Sequence, residues 1–170
     1  MSLKMWTVDT PMAPWTVIAE GDVVVVSGFE PADETASRLP EGEAPTQVDD
    51  LGKISQAVRS YLSGTVDALS AVEVSQPGGA FRQEVWRVMR EIPTGQTWSY
   101  TELATKAGKP SAARAAASAC ANNRVAPFVP CHRVVRSDGS LGGYYYGLDL
   151  KRWLLNLERG EDREHTQMTF

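Results

Sequence analysis

Residues 99–121 read SYTELATKAGKPSAARAAASACA, a pattern of two short helices around a turn. Ser99 is a fitting N-cap and Glu102 stands three positions later, so a capping box opens a helix over Tyr100–Ala107. Gly108-Lys109-Pro110 breaks it. Ser111 is then expected to cap a second helix reaching about Ala121, built almost wholly of alanine, with Arg114 projecting. Two short helices about a glycine-containing turn make a helix-turn-helix. Alanine lets such a helix lie very close to a nucleic-acid groove, and it serves close packing between helices equally well. Both readings stand at this point.

Working toward the N-terminus, Phe81, Val85, Trp86, Val88 and Met89 fit an amphipathic helix ending near Ile92-Pro93, with a turn at Thr94-Gly95. Pro77-Gly78-Gly79 marks a boundary between two halves. Before it, Trp15–Ala19 and Val23–Phe29 read as strands joined at Glu20-Gly21-Asp22. Residues 30–50, rich in Pro, Glu, Asp and Ala, read as an exposed loop or loose connection. Ile54, Val58, Tyr61 and Leu62 recur at helical spacing before Gly64, and Ala71–Val74 suits a short strand. Met1-Ser2-Leu3-Lys4 has the look of an expression leader. No internal repeat is visible.

The 170 residues carry a net charge of −4, but unevenly. Residues 1–78 sum to −8 and residues 79–160 to +6, an acidic half and a half able to face phosphate. An ordinary solvated basic face would give the same numbers. Hydrophobic residues make up 42% and charged ones 22%, which describes a globular chain. No apolar run approaches the roughly 20 residues of a membrane span, and no secretory signal opens the chain, so a cytoplasmic location is expected. Cys120 and Cys131 are too few for a disulfide scaffold, and with His132 and His165 they would all be consumed by one zinc site. We therefore expect no metal site.

The run Val129-Pro130-Cys131-His132-Arg133-Val134-Val135 carries the chemistry. A free thiol has a pKa of about 8.5, so a nucleophilic cysteine needs a base or a positive field beside it. His132 is the nearest base, yet in extended chain neighbouring side chains point to opposite sides, which favours a water-mediated link. Taken alone, a cysteine is more often a small buried hydrophobe, and Cys120 on the alanine-rich helix is read that way. Other single residues have equally ordinary readings: a solvated Arg114, a surface Glu158, a packing Tyr100, a turn-forming Asn123.

Pro130-Cys131-His132-Arg133-Val134 resembles the active-site signature of the O6-alkylguanine-DNA alkyltransferases. The similarity runs in register from about Phe81 to Glu158, through Ile92-Pro93-x-Gly95, Ser99-Tyr100, Arg114-Ala115, Asn123, Gly139, Tyr144, Gly147-Leu148 and Leu154-Leu155. The first half matches only loosely. The resemblance implies an α/β fold: a small N-terminal α/β, ribonuclease-H-like domain (1–77), then a mostly helical DNA-binding and alkyl-acceptor domain with a helix-turn-helix (78–160), then a polar tail (161–170). Within the tail, His165 is expected to have no function.

Roles follow by the same resemblance. Cys131 would accept the alkyl group once and irreversibly, activated through water by His132, which Glu158 orients. Asn123 would hold the turn before the active-site strand, and Tyr100 would hydrogen-bond the flipped guanine and help it take up a proton. Backbone carbonyls of Cys131 and Val134 would bind the guanine amino group, and the Tyr145 N–H its O6, with Tyr144, Tyr145 and Tyr146 completing the pocket. Arg114 would fill the space of the everted nucleotide, with Ser111, Ala115, Tyr100 and Arg133 as further DNA contacts and the reading helix in the minor groove. The implied partner is double-stranded DNA carrying O6-alkylguanine, with O4-alkylthymine as a second substrate; because the lesion itself is the alkyl donor, no cofactor is implied, nor a membrane or an obligate protein partner, and the protein would be a monomer.

Two departures from the family pattern stand out. Asn123-Arg124 replaces the usual Asn-Pro, and Tyr145-Tyr146 replaces small residues over the pocket. A non-catalytic lesion binder of the alkyltransferase-like kind would carry another residue, typically Trp, where Cys131 stands. A Cys–His–Glu hydrolase would need an oxyanion hole and cleft that the sequence does not display, and a plain helix-turn-helix regulator would not need the Pro-Cys-His-Arg run. Nor is there a cysteine-rich segment like that of fused adaptive-response regulators, so a stand-alone repair protein is expected.

Overall fold

The structure is a computed structural model, and residues 2–160 are described. The expected polar tail, with His165, lies outside the described residues. The chain forms two compact units. One comprises the chain up to Gln76 together with Arg124–Phe128; the other comprises Pro77–Asn123 and the chain from Val129 onward.

The first unit is built on a five-stranded mixed sheet. Strands β1 (Leu3–Asp9), β2 (Pro14–Glu20) and β3 (Val23–Gly28) form an antiparallel meander. After helix α1 (Ala32–Ala36), the short β4 (Thr46–Gln47) pairs parallel to β1. Helix α2 (Lys53–Leu62) then leads to β5 (Glu73–Val74), parallel to β3. The spatial order is β4-β1-β2-β3-β5. Burial on both faces explains why β2 reads as a nearly continuous apolar run. One face packs Leu3, Met5, Ile18 and Val26 against Ala32, Ala36 and Leu39. The hairpin turns at Glu20-Gly21-Asp22 as the sequence indicates, with Gly21 at φ 60°.

Two stretches hold structure that the sequence reading did not expect. Leu3 and Lys4 belong to β1, paired with Glu20 and Ala19, and Leu3 is buried. Residues 30–50 contain α1 and β4, too short to show a period in the sequence.

The second unit is mostly helical. Helix α3 (Ala80–Met89) is followed by a two-residue strand β6 (Trp98–Ser99), helix α4 (Tyr100–Lys106) and helix α5 (Ala113–Ala121). Strand β7 (Val134–Val135) pairs parallel to β6, and helix α6 (Leu148–Glu158) closes the unit. Helix α3 is tied to α5 by Trp86, whose indole N–H donates to the Ala119 carbonyl at 2.8 Å. A Cβ at Gly78 would come within 2.7 Å of the same indole, so the backbone there must be bare.

The capping box at the start of α4 is present: Glu102 N–H donates to Ser99 Oγ at 3.0 Å and Ser99 N–H to Glu102 Oε1 at 3.2 Å. Gly108, at φ 92°, ends the helix in the left-handed conformation that a C-terminal glycine supplies. Ser111 does not cap α5. The chain turns one residue later, with Ala112 N–H bonded to the Lys109 carbonyl, and Ala112 occupies the cap without a side-chain bond.

Candidate active site

Cys131–Arg133 form one turn of 3-10 helix rather than the extended chain expected, and β7 begins at Val134. The turn closes with Arg133 N–H bonded to the Pro130 carbonyl at 2.9 Å. Strand alternation therefore does not govern Cys131 and His132. Pairing of β7 with β6 puts Val134 opposite Trp98 and Val135 opposite Ser99, which brings the start of α4, and so Tyr100, to the end of this segment.

Cys131 is buried, and the Asn123 amide crosses the loop base to reach it. Asn123 Nδ2 donates to the Val129 carbonyl at 2.8 Å and lies 3.4 Å from Cys131 Sγ. Burial pushes the Cys131 pKa up, while the Asn123 donor and the Lys151 charge pull against that shift. The resting group is a thiol, and it needs a base to react.

His132 is fully buried. Its Nε2 lies 2.7 Å from Glu158 Oε2. Burial holds the imidazole pKa below its ordinary value, although Glu158 opposes this. The neutral ring thus carries its proton on Nε2, because an ionised carboxylate can only accept. Nδ1 meets no hydrogen-bonding partner among the described residues. Burial alone would raise the Glu158 pKa, but His132 and Arg133 outweigh it and hold the carboxyl far below the usual range.

Arg133 departs from its expected place at the DNA. It is buried, and its Nε and Nη2 donate to the two Glu158 oxygens at 2.8 and 3.0 Å while Nη1 donates to the Ile92 carbonyl at 2.9 Å. A guanidinium committed in this way fixes Glu158 as an ion, so we do not retain Arg133 among the DNA contacts.

Lys151 was missed by sequence reasoning. It is fully buried, and Nζ donates to the carbonyls of Val134 (2.8 Å), Gly143 (3.2 Å) and Leu141. It thereby ties β7 to the loop carrying the three tyrosines. A signal existed: Lys151, Leu154, Leu155 and Glu158 share one helical stripe, so two charged residues stand on the buried face of α6.

Tyr100 is half-buried beside Gly142, where an added Cβ would lie 3.4 Å from its hydroxyl. Burial and the neighbouring Cys120 and Cys131 raise its pKa to about 12, so its phenol stays protonated. Tyr144 and Tyr146 are half-buried and Tyr145 is 73% exposed, with ring centroids 5.7 Å apart for Tyr144–Tyr146 and 4.9 Å for Tyr145–Tyr146. Ser111, Arg114 and Ala115 are exposed at the start of α5. Cys120 is a free thiol, pushed up in pKa by burial. Among the described residues no His, Cys, Asp and Glu cluster is arranged to hold a metal ion, and no helix is long and apolar enough to cross a membrane.

Chemically, a buried thiol adjacent in sequence to a histidine that is backed by an ionised carboxylate is the set of groups that nucleophilic cysteine chemistry uses. Residues 80–160 match the family model for the 6-O-methylguanine DNA methyltransferase DNA-binding domain. A methylated-DNA–protein-cysteine methyltransferase of Mycobacterium bovis is 36% identical over 153 residues, covering 90% of each chain. The bifunctional transcriptional activator and DNA-repair enzyme Ada of Escherichia coli K12 is 56% identical over 81 residues, but the match spans only 23% of that longer protein. Among solved structures, Mycobacterium tuberculosis OGT in complex with DNA superposes with a TM-score of 0.78 at 32% identity, covering 93% of this chain and 94% of that one. The chain belongs to the methylated-DNA–protein-cysteine methyltransferases, a family of DNA-binding repair proteins.

Proposed function

We propose that this protein repairs duplex DNA by taking the alkyl group of O6-alkylguanine, and of O4-alkylthymine, onto Cys131 in a single irreversible event. The carrying observation is the chain of contacts from Asn123 to the Cys131 thiol, with the adjacent His132 held by Glu158 and Glu158 held by Arg133. In this reading a water relays the thiol proton to His132 Nδ1, the atom left open by the bond from Nε2 to Glu158. The Sγ–carbon bond forms as the carbon–O6 bond breaks, and the leaving guanine takes up one proton while the thiol gives one up. Tyr100, protonated at neutral pH, assists that uptake. A thioether offers no ready leaving route, so each molecule acts once.

Helices α4 and α5 serve as the helix-turn-helix, with Ser111, Arg114 and Ala115 facing DNA and Arg114 replacing the everted nucleotide. This is supported by their exposure and by the positive charge of residues 79–160. Val134 and Tyr144–Tyr146 form the base pocket. We take the first unit, the chain up to Gln76 with Arg124–Phe128, as a ribonuclease-H-like domain, in keeping with its mixed sheet, and the second unit as the acceptor domain. The protein works as a monomer, in the cytoplasm, where a reducing environment keeps an acceptor thiol free.

The test counts lesions. O6-methylguanine removed from duplex DNA should equal the protein added, and Cys131→Ser should remove none while still binding. Repair by the serine variant, or binding without repair by the wild type as in a lesion-recognition protein, would defeat the reading.

A further inference from the structure

The loop 124–128 belongs to the first unit although it interrupts the second in sequence. Its residues are held closely. The Arg124 carbonyl accepts from Ser27 N–H at 2.8 Å, and the Arg124 N–H donates to Gln76 Oε1 at 2.7 Å. Val125, fully buried, bridges to Ser27. The Phe128 ring lies 6.0 Å from that of Trp15, whose indole N–H donates to Ser27 Oγ at 2.9 Å. Both backbone polar groups of Arg124 are thus fixed, the carbonyl by β3 and the N–H by Gln76, a residue only 7% exposed.

The residue before Arg124 is Asn123, whose amide reaches Val129 and the Cys131 thiol. Proline, usual at the position of Arg124 in the resemblance above, would fix the backbone by its ring and offer no N–H. Arginine restores the N–H and loses the ring. A buried N–H without an acceptor is costly, and rotation of the Asn123–Arg124 peptide would relieve it by swinging Asn123.

We propose that Gln76 is a positioning residue for the acceptor thiol: by holding the Arg124 N–H it fixes the Asn123–Arg124 peptide, and Asn123 in turn fixes Cys131. This rests on the reading of Cys131 as acceptor. It assigns an acceptor-site task to a residue outside the matched segment 80–160.

The experiment compares wild type, Gln76→Leu and Gln76→Glu, the last keeping an oxygen in place. Three quantities are read: methyl transfer from O6-methylguanine duplex, transfer from free O6-benzylguanine, and the pH midpoint of Cys131 alkylation by iodoacetamide. Gln76→Leu should slow both transfers by a common factor of about ten, the order of one lost hydrogen bond. It should also raise the alkylation midpoint, because an amide donor at the sulfur favours thiolate. Gln76→Glu should recover most of the rate. A lowered melting temperature with unchanged rates and midpoint would overturn the proposal, leaving Gln76 a structural residue. Should Gln76→Leu not fold, Gln76→Asn, whose shorter amide cannot reach the Arg124 N–H, carries the same expectations. A wild type that takes up no methyl would instead refute the acceptor reading, and the iodoacetamide midpoints would still decide the role of Gln76.

Discussion

Glu158→Gln should be among the most damaging isosteric changes in the second unit. The carboxylate accepts from His132 at 2.7 Å and from Arg133 at 2.8 and 3.0 Å, and its side chain is fully shielded from solvent while that of Arg133 is 10% exposed. An amide keeps the shape but loses the charge, and it turns an N–H₂ toward donors. Removing one partner of a buried ion pair typically costs about 3–5 kcal/mol, against a total stability of about 5–15 kcal/mol for a domain. Solvent screening is slight here, so we expect the loss to fall inside that range. Urea unfolding of wild type and variant measures it directly, with alkylation of Cys131 by iodoacetamide as a parallel reading of the site. Transfer from methylated DNA should slow by more than about tenfold, since His132 loses the group that orients it. A stability loss below about 1 kcal/mol would refute the reasoning, because it would mean that the Glu158 charge is not what compensates the buried guanidinium.

The buried His132 should also mark the pH dependence of stability. Its native pKa lies below the unfolded value of about 6.5, so its contribution is whole above that pH and is lost as pH falls through the native pKa. The Glu158 contribution, present above about 4.3, is lost only at much lower pH. Chemical denaturation between neutral and mildly acid pH should show stability falling, and His132→Asn should flatten that slope; an unchanged slope would contradict a neutral buried imidazole. Arg114→Ala should slow repair of duplex DNA by about tenfold or more while leaving the free base little affected, because unstacking a base costs a few kcal/mol. Equal losses on both substrates would remove Arg114 from flipping. Tyr146→Gly should speed transfer from O6-benzylguanine with methyl transfer little changed, since the half-buried ring stands between Tyr144 and Tyr145. Slower benzyl transfer would show that the ring stacks on the substituent and is no gate.

How much of this was legible depended on whether a residue's task leaves a local pattern. The Ser99–Glu102 capping box is a four-residue signal and appears in the structure as read. The hairpin at Gly21 is local in the same way. Ser111 carries the residue type of a cap, but the turn at Lys109–Ala112 shifts the helix start by one and leaves it outside. Strand β1 escaped notice because its alternation is broken by Trp6, buried beside the buried Met5. The family resemblance places Arg133 among the DNA contacts. Only the fold reveals that Glu158, 25 residues away in sequence, claims its guanidinium. Lys151 shows the same limit: three backbone acceptors justify burying its ammonium, and backbone carbonyls have no sequence signature.

The central claim is that Cys131 is the terminal, single-use acceptor. Wild-type protein should be incubated with an excess of O6-methylguanine duplex, and its intact mass and peptide map recorded at completion. The account predicts a gain of one methylene per molecule, located on the Cys131 peptide, with no further gain as the DNA excess is increased. Modification at Cys120 instead, or repaired DNA accumulating beyond one equivalent while Cys131 remains a free thiol, would contradict it.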